Sequence, residues 1–173
     1  METLDNENIE LRIRELASRD VLIVQQARES LTGCGRPAVP ALLRALNDED
    51  DQIRWEAARV LGEIGDPATV PALVKTLTDQ NFVVRWIASE AIDALGHTGV
   101  VPLLNALETQ PDSLWLRRGA HRILRVQARG KLGEILDPVM KALEGMEPML
   151  EVPIACVNAL HALTQEPQIL ADA

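Results

Sequence analysis

The chain has 173 residues, 47% hydrophobic and 25% charged, with a formal net charge of −9. This is the length of one domain and an apolar fraction ordinary for a folded protein, and the acidity disfavours general nucleic-acid binding. No apolar run approaches the ~20 residues that span a bilayer, METLDNENIELR at the N-terminus has no apolar leader core, and Cys34 and Cys156 form neither a CxxC nor a Cys/His cluster, so a membrane protein, a zinc site and a disulfide framework are not expected and a cytoplasmic protein is.

In chain order, a first helix at about 7–18 places Ile9, Ile13, Leu16 and Ala17 on one face. A second, over 20–35, aligns Val24, Ala27 and Leu31 and stops at Gly35. The segment PAVPALLRAL (37–46) sets Val39, Leu42, Leu43 and Leu46 at i, i+3, i+4 and i+7, with proline in the first turn, where its missing N–H has no helical partner. The acidic run Asn47–Asp51 then caps the next helix. That helix, QIRWEAARVLGEIG (52–65), stripes Ile53, Ala57, Val60, Leu61 and Ile64 and ends at Gly65 before Asp66-Pro67.

The next stretch repeats every step. Val70, Leu73, Val74 and Leu77 precede Asp79; Val84, Ala88, Ala91, Ile92 and Leu95 precede Gly96. Val-Pro recurs at 39, 70 and 101, and Arg-Trp at 54 and 85, in each case thirty-one residues apart. A fixed period of this size predicts stacked copies of a helical hairpin, an all-α solenoid. The fourth unit loses one residue in its first helix and gains two in the loop, and its second helix, about 112–128, stacks Leu116, Ala120, Ile123 and Leu124. The fifth is the most degenerate: Pro138, Met140 and Leu143 echo a first helix, and Cys156, Ala159, Leu160 and Leu163 a second. Five hairpins result, at approximately 5–35, 36–65, 66–96, 97–129 and 130–164, in one domain 1–164, with a frayed tail over 165–173.

These units resemble the HEAT-repeat family, especially the short bacterial form also seen in phycobilin lyases. The residues that carry the likeness are Val-Pro-Ala-Leu-Leu/Val (39–43 and 70–74), Asp48 with Arg54, Asp79 with Arg85, the small Ala57 and Ala88, and Gly65-Asp66-Pro67. It covers 20–128 well and both ends loosely. The resemblance implies a right-handed solenoid whose first helices line the convex side and second helices the concave side. It also implies a structural Asp–Arg ladder joining adjacent repeats through Asp48, Arg54, Asp79 and Arg85, since buried charges need partners.

At 100° per residue, Trp55 falls opposite the core stripe of its helix, flanked by Arg59 and Gly62. Trp86, Glu90 and Asp93 take these places one unit on, and Arg118, Arg122 and Arg125, with His121 beside them, take them in the fourth. Trp and Arg anchor interfaces more often than other side chains, so Trp55, Arg59, Trp86, Glu90, Arg118, His121, Arg122 and Arg125 are the candidate partner-binding residues. The competing reading is that each indole seals a groove between repeats. The sign of the charge reverses over 112–131, where Arg117, Arg118, Arg122, Arg125, Arg129 and Lys131 meet Asp112 alone. This island is either a solvated face balancing acidic neighbours or a dock for a carboxylate-rich partner or a phosphate.

No catalytic constellation emerges. There is no GxSxG, Walker loop or GxGxxG. His97, His121 and His161 are each followed by a residue other than glutamate, unlike the His-Glu pairs of the di-iron hydroxylases built on similar repeats. The expectation is a non-enzymatic scaffold with no cofactor and a protein partner, with a bilin-handling role as the alternative and nucleic-acid binding through 117–131 behind both.

Overall fold

The structure, a computed structural model, describes residues 6–171. Residue 5 of the first expected hairpin and residues 172–173 of the expected tail lie outside it. Among the described residues all regular elements are helical, and the fold is of the expected all-α class of stacked helical hairpins. The chain divides into two compact units, residues 1–94 and 95–173.

The first unit holds three hairpins: α1 (Asn6–Glu15) with α2 (Val21–Cys34), α3 (Val39–Ala45) with α4 (Asp51–Ile64), and α5 (Val70–Thr76) with α6 (Phe82–Ala94). The second helices stack α2 on α4 and α4 on α6, while α1 lies against α3. Asp20 and Asp50 cap α2 and α4 by accepting the amide N–H of Leu22 and Gln52, which satisfies donors that have no partner inside a helix. Gly65 ends α4 in the left-handed region at φ 73°, where a side chain would be strained. Short 3-10 turns at Arg36–Ala38 and Pro67–Thr69 then lead into α3 and α5.

The buried arc of α4 is wider than its stripe. Besides Ile53, Ala57, Val60 and Leu61, both Glu56 and Ala58 are buried. The cause is the stack: α3 backs α4 while α2 and α6 flank it. The approach of α6 is closest at Gly62, where a methyl group would stand 2.8 Å from Ala91 Cβ and 2.9 Å from its Cα.

The second unit comprises α7 (Val100–Thr109), α8 (Leu114–Gln127), α9 (Gly130–Glu144), α10 (Pro148–Gln165) and α11 (Gln168–Ala171). Its opening register departs from the Val-Pro repeat. The core positions of α7 are Val100, Leu103, Leu104 and Leu107, thirty residues after Val70, Leu73, Val74 and Leu77. The third Val-Pro has therefore slipped by one place. A proline within the first helical turn tolerates such a shift, because none of those N–H groups is bonded within the helix.

The fifth hairpin also packs differently from the sequence expectation. In a regular array α9 would stack on α7 and α10 on α8. Instead α9 lies beside α8 and α10 beside α7, closing a ring α7–α8–α9–α10. Only Ala128 and Arg129 separate α8 from α9, whereas residues 65–69 and 95–99 make the corresponding links earlier. Two residues do not carry the chain back to the first-helix row, so α9 turns down alongside α8. Its core stripe is Leu132, Leu136, Val139 and Ala142, one place off the echo Pro138, Met140 and Leu143. In α10, Val152, Ala155, Cys156, Ala159 and Leu163 are buried. The tail expected to fray from 165 contains α11, whose Ile169 is buried as α11 packs on α9. No helix among the described residues is long and apolar enough to cross a membrane.

Candidate partner-binding faces

In the first unit the Asp–Arg pairs form a clamp with two parts. Arg54 Nε and Nη2 donate to Asp79 Oδ2 and Oδ1 at 2.8 and 3.0 Å, a bidentate bond that crosses from α4 to the loop before α6. Its Nη1 donates to the carbonyl oxygens of Asp48 and Glu49 at 2.9 and 3.0 Å. Arg85 copies this second part, donating to the carbonyls of Asp79 and Gln80 at 2.7 and 2.9 Å. The six-residue spacing seen in the sequence thus marks an arginine-to-backbone bond, while the carboxylate contact reaches the next repeat. Arg117 keeps the backbone part by donating to the Pro111 carbonyl, six residues earlier, although no aspartate stands there.

The electrostatics follow from this geometry. Burial alone would raise the Asp79 carboxyl, but the bonds from Arg54 and from the Asn81 amide outweigh it and hold the group below its ordinary value. Donating these bonds to Asp79 in turn raises Arg54.

A second ion pair escaped the sequence reading. Arg28 on α2 donates Nε and Nη2 to Glu56 on α4 at 3.0 and 3.3 Å. Burial pushes the fully enclosed Glu56 carboxyl up, against the opposing pull of Arg28. The two residues lie 28 apart, off the thirty-one-residue period, so no repeat signal linked them.

Trp55 is half-buried and Trp86 is 47% exposed. The Trp86 ring lies 6.3 Å from that of Phe82, itself exposed. Arg59 and Glu90 are exposed on the same two helices, and Arg59 approaches Glu63 at 3.8 Å. The indoles therefore differ: Trp55 is partly absorbed by the stack, and Trp86 presents a broad aromatic surface.

In the second unit, Arg118, Arg122 and Arg125 share one stripe of α8, at i, i+4 and i+7. Arg118 and Arg125 are exposed and Arg122 is half-buried. Trp115, 43% exposed, begins this stripe, and the Arg118 guanidinium lies 5.6 Å from its ring centre. Trp115 was not among the sequence candidates, yet its i−3 spacing from Arg118 was there to read. His121 turns to the side of the stripe, where its Nε2 meets Glu144 of α9 at 2.8 Å. The inward turn of α9 thus gives His121 a partner within the chain.

Among the described residues no group of three or more His, Cys, Asp or Glu side chains is arranged to hold a metal ion. The thiols differ in setting: Cys34 is half-buried, whereas burial pushes the Cys156 thiol up to about 12.

The model of the family described as HEAT repeats matches residues 9–93 and 39–125. Among solved structures, the chain is similar to one of the complex of CpcE and CpcF of phycocyanin lyase from Nostoc sp. PCC7120. The two are 26% identical over 99% of this chain and 72% of that one, with a TM-score of 0.51. No curated protein matches the sequence.

Proposed function

The chain belongs to the HEAT-repeat family, and from that premise we propose that it is a non-catalytic module that binds a protein partner through the outward faces of its second helices. The faces are Trp55, Arg59, Trp86 and Glu90 in the first unit and Trp115, Arg118, His121, Arg122 and Arg125 in the second. The observation that carries this reading is α8, whose outward stripe joins an exposed indole to exposed guanidiniums on a helix without a single acidic residue. Planar guanidiniums take carboxylates two bonds at a time, and desolvated Trp and Arg dominate interface energies. An acidic, partly apolar segment is the complementary ligand. The test is quantitative capture from the native host, comparing the wild type with W55A/W86A and with R118E/R125E. At least a tenfold loss of one reproducible partner, with helical circular dichroism intact, is expected. Undiminished capture by both folded variants would overturn these faces.

A second reading, a bilin-handling factor, is favoured by the likeness to the phycocyanin lyase complex. Titration of a free bilin into the purified chain checks it: a shift of the visible band that saturates supports this role, and an unchanged spectrum removes it.

A further inference from the structure

Two cations of the basic island, Arg129 and Lys131, lie outside the α8 stripe, at the start of α9, whose first turn carries no acidic residue. With the buried Leu132 they line an open cleft of about 420 Å³, and the other lining residues come from the turn that follows α10. The chain leaves α10 at Glu166, with φ −129° and ψ 67°. Pro167 fixes the next φ, and the Ile169 amide donates to the Glu166 carbonyl at 3.1 Å. Glu166 and Ile169 thus belong to one turn, three residues apart. Both engage α9: the Glu166 carboxylate accepts Lys131 Nζ, and Ile169 is buried as α11 packs on that helix. Little else holds the turn. The ion pair is exposed, at 57% and 43% of its two side chains, so water screens it. Pro167, Gln168 and Ala171 are exposed. A helix of four residues is far too short to stand by itself, and a segment held by so few contacts opens readily. The cleft left beside it has the volume of a ligand pocket, about 300–1,000 Å³, and Arg129 stands exposed at its rim.

We propose that the start of α9 is a groove for a short segment of a partner protein, one with a carboxylate three residues before a branched aliphatic side chain, and that α11 is an autoinhibitory strap which this segment displaces. The strap itself shows the chemistry that fits, a carboxylate on Lys131 and an aliphatic side chain against α9. The charges and the open volume choose the occupant. A second copy's strap would repeat contacts the chain already makes and would lose the tether, which holds the chain's own strap at an effective concentration of about a millimolar. A partner segment that reaches Arg129 as well, and fills the remaining cleft, gains what the strap lacks. Arginine takes such a carboxylate two bonds at a time. The groove shares no residue with the α8 stripe, so this inference goes beyond the function proposed above and stands or falls apart from it.

The probe is a capped peptide of residues 165–171, Gln-Glu-Pro-Gln-Ile-Leu-Ala, added in trans to the full-length chain. Chemical-shift titration up to ~5 mM peptide follows it, a range suited to so small a contact. I169D and E166K release the strap by different routes, the second without touching an apolar side chain. Both should bind the peptide at least tenfold more tightly than the wild type, with circular dichroism unchanged. Amide exchange should quicken at least tenfold over residues 166–171 and at the start of α9, and stay as it was in α7 and α8. Adding K131E to I169D should abolish binding, and a peptide with lysine in place of its glutamate should restore it. R118E/R125E should leave peptide binding unaltered. Equal binding by wild type and both released chains, or none by either released chain at 5 mM, overturns the proposal. Binding indifferent to K131E, or lost in R118E/R125E, places the peptide elsewhere and overturns it too. A wild-type dimer that forms as concentration rises and disappears in I169D overturns it in favour of straps exchanged between copies.

Discussion

Asp79 holds two repeats together with one carboxylate and one carbonyl. Its side chain accepts both Arg54 donors and the Asn81 amide, while its backbone oxygen accepts Arg85. Both partners of the ion pair are largely shielded from water, at 15% and 12% side-chain exposure, so the bond is less weakened by screening than a surface pair. We expect D79N to cost about 1.5–3 kcal/mol at pH 7, the range for a hydrogen bond to a charged group. Because the folded carboxyl lies below its ordinary value, its contribution is fully present above that ordinary value and is lost as pH falls through the folded pKa. The gap between D79N and wild type in urea unfolding should therefore narrow from pH 7 to pH 3; an equal gap at both would refute this account. At this scale the sequence was readable where a motif repeated. Asp79, Arg54 and Arg85 stood out by spacing, and the resemblance implied a ladder between adjacent repeats; the Arg54–Asp79 bond crosses between repeats in that way, while the six-residue spacing itself marks arginine bonds to backbone carbonyls. Glu56 was unreadable because Arg28 pairs with it off the period, and a single glutamate beside a core stripe looks like a solvated one.

Gly62 shows how tightly two elements are set. An alanine in mid-helix ordinarily gains up to about 1 kcal/mol over glycine. Here the added methyl would meet Ala91 Cβ at 2.8 Å and Cα at 2.9 Å, and a backbone atom cannot swing aside as the tip of a long side chain does. Overpacking of this kind costs about 1–3 kcal/mol, so the clash should win: G62A lowers the urea midpoint without changing the slope, and G62S lowers it further. A stabilised G62A would mean that α4 and α6 separate freely. The wheel placed Gly62 opposite the core, which is true for the hairpin and false for the stack, since a second helix is flanked by its counterparts. Element boundaries in the first unit were legible because caps, prolines and glycines coincide with the period. In the second unit the one-residue loss and the extent of α8 were also legible, but the surviving Val-Pro put the loss inside α7 when it precedes Val100, and the two-residue link at Ala128–Arg129 redirects α9 without altering its helical pattern.

Across the whole molecule, a net charge of −9 accompanies one basic stripe on α8, and the two should act at different ranges. At ~10 mM salt the Debye length is about 30 Å, so an approaching polyanion feels the acidic chain as well as the stripe; at ~150 mM it is about 8 Å, and contact with Arg118, Arg122 and Arg125 dominates. Attraction at the stripe and repulsion by the rest weaken together as salt rises. Binding of a synthetic Glu-rich helical peptide should therefore change less than about tenfold over this interval, and R118E/R125E should remove it at both ends. A nucleic-acid surface behaves otherwise, since releasing counterions from 6–10 phosphates costs about 10³–10⁵ in affinity between 50 and 200 mM salt. Fluorescence anisotropy with the peptide and with a DNA duplex separates the two. Salt-tolerant peptide binding with no duplex binding is the expected result, because three arginines on one face of one helix can grip a few carboxylates but do not extend along a phosphate backbone. Tight duplex binding with a steep salt slope would assign the stripe to nucleic acid and withdraw the protein-partner reading of α8.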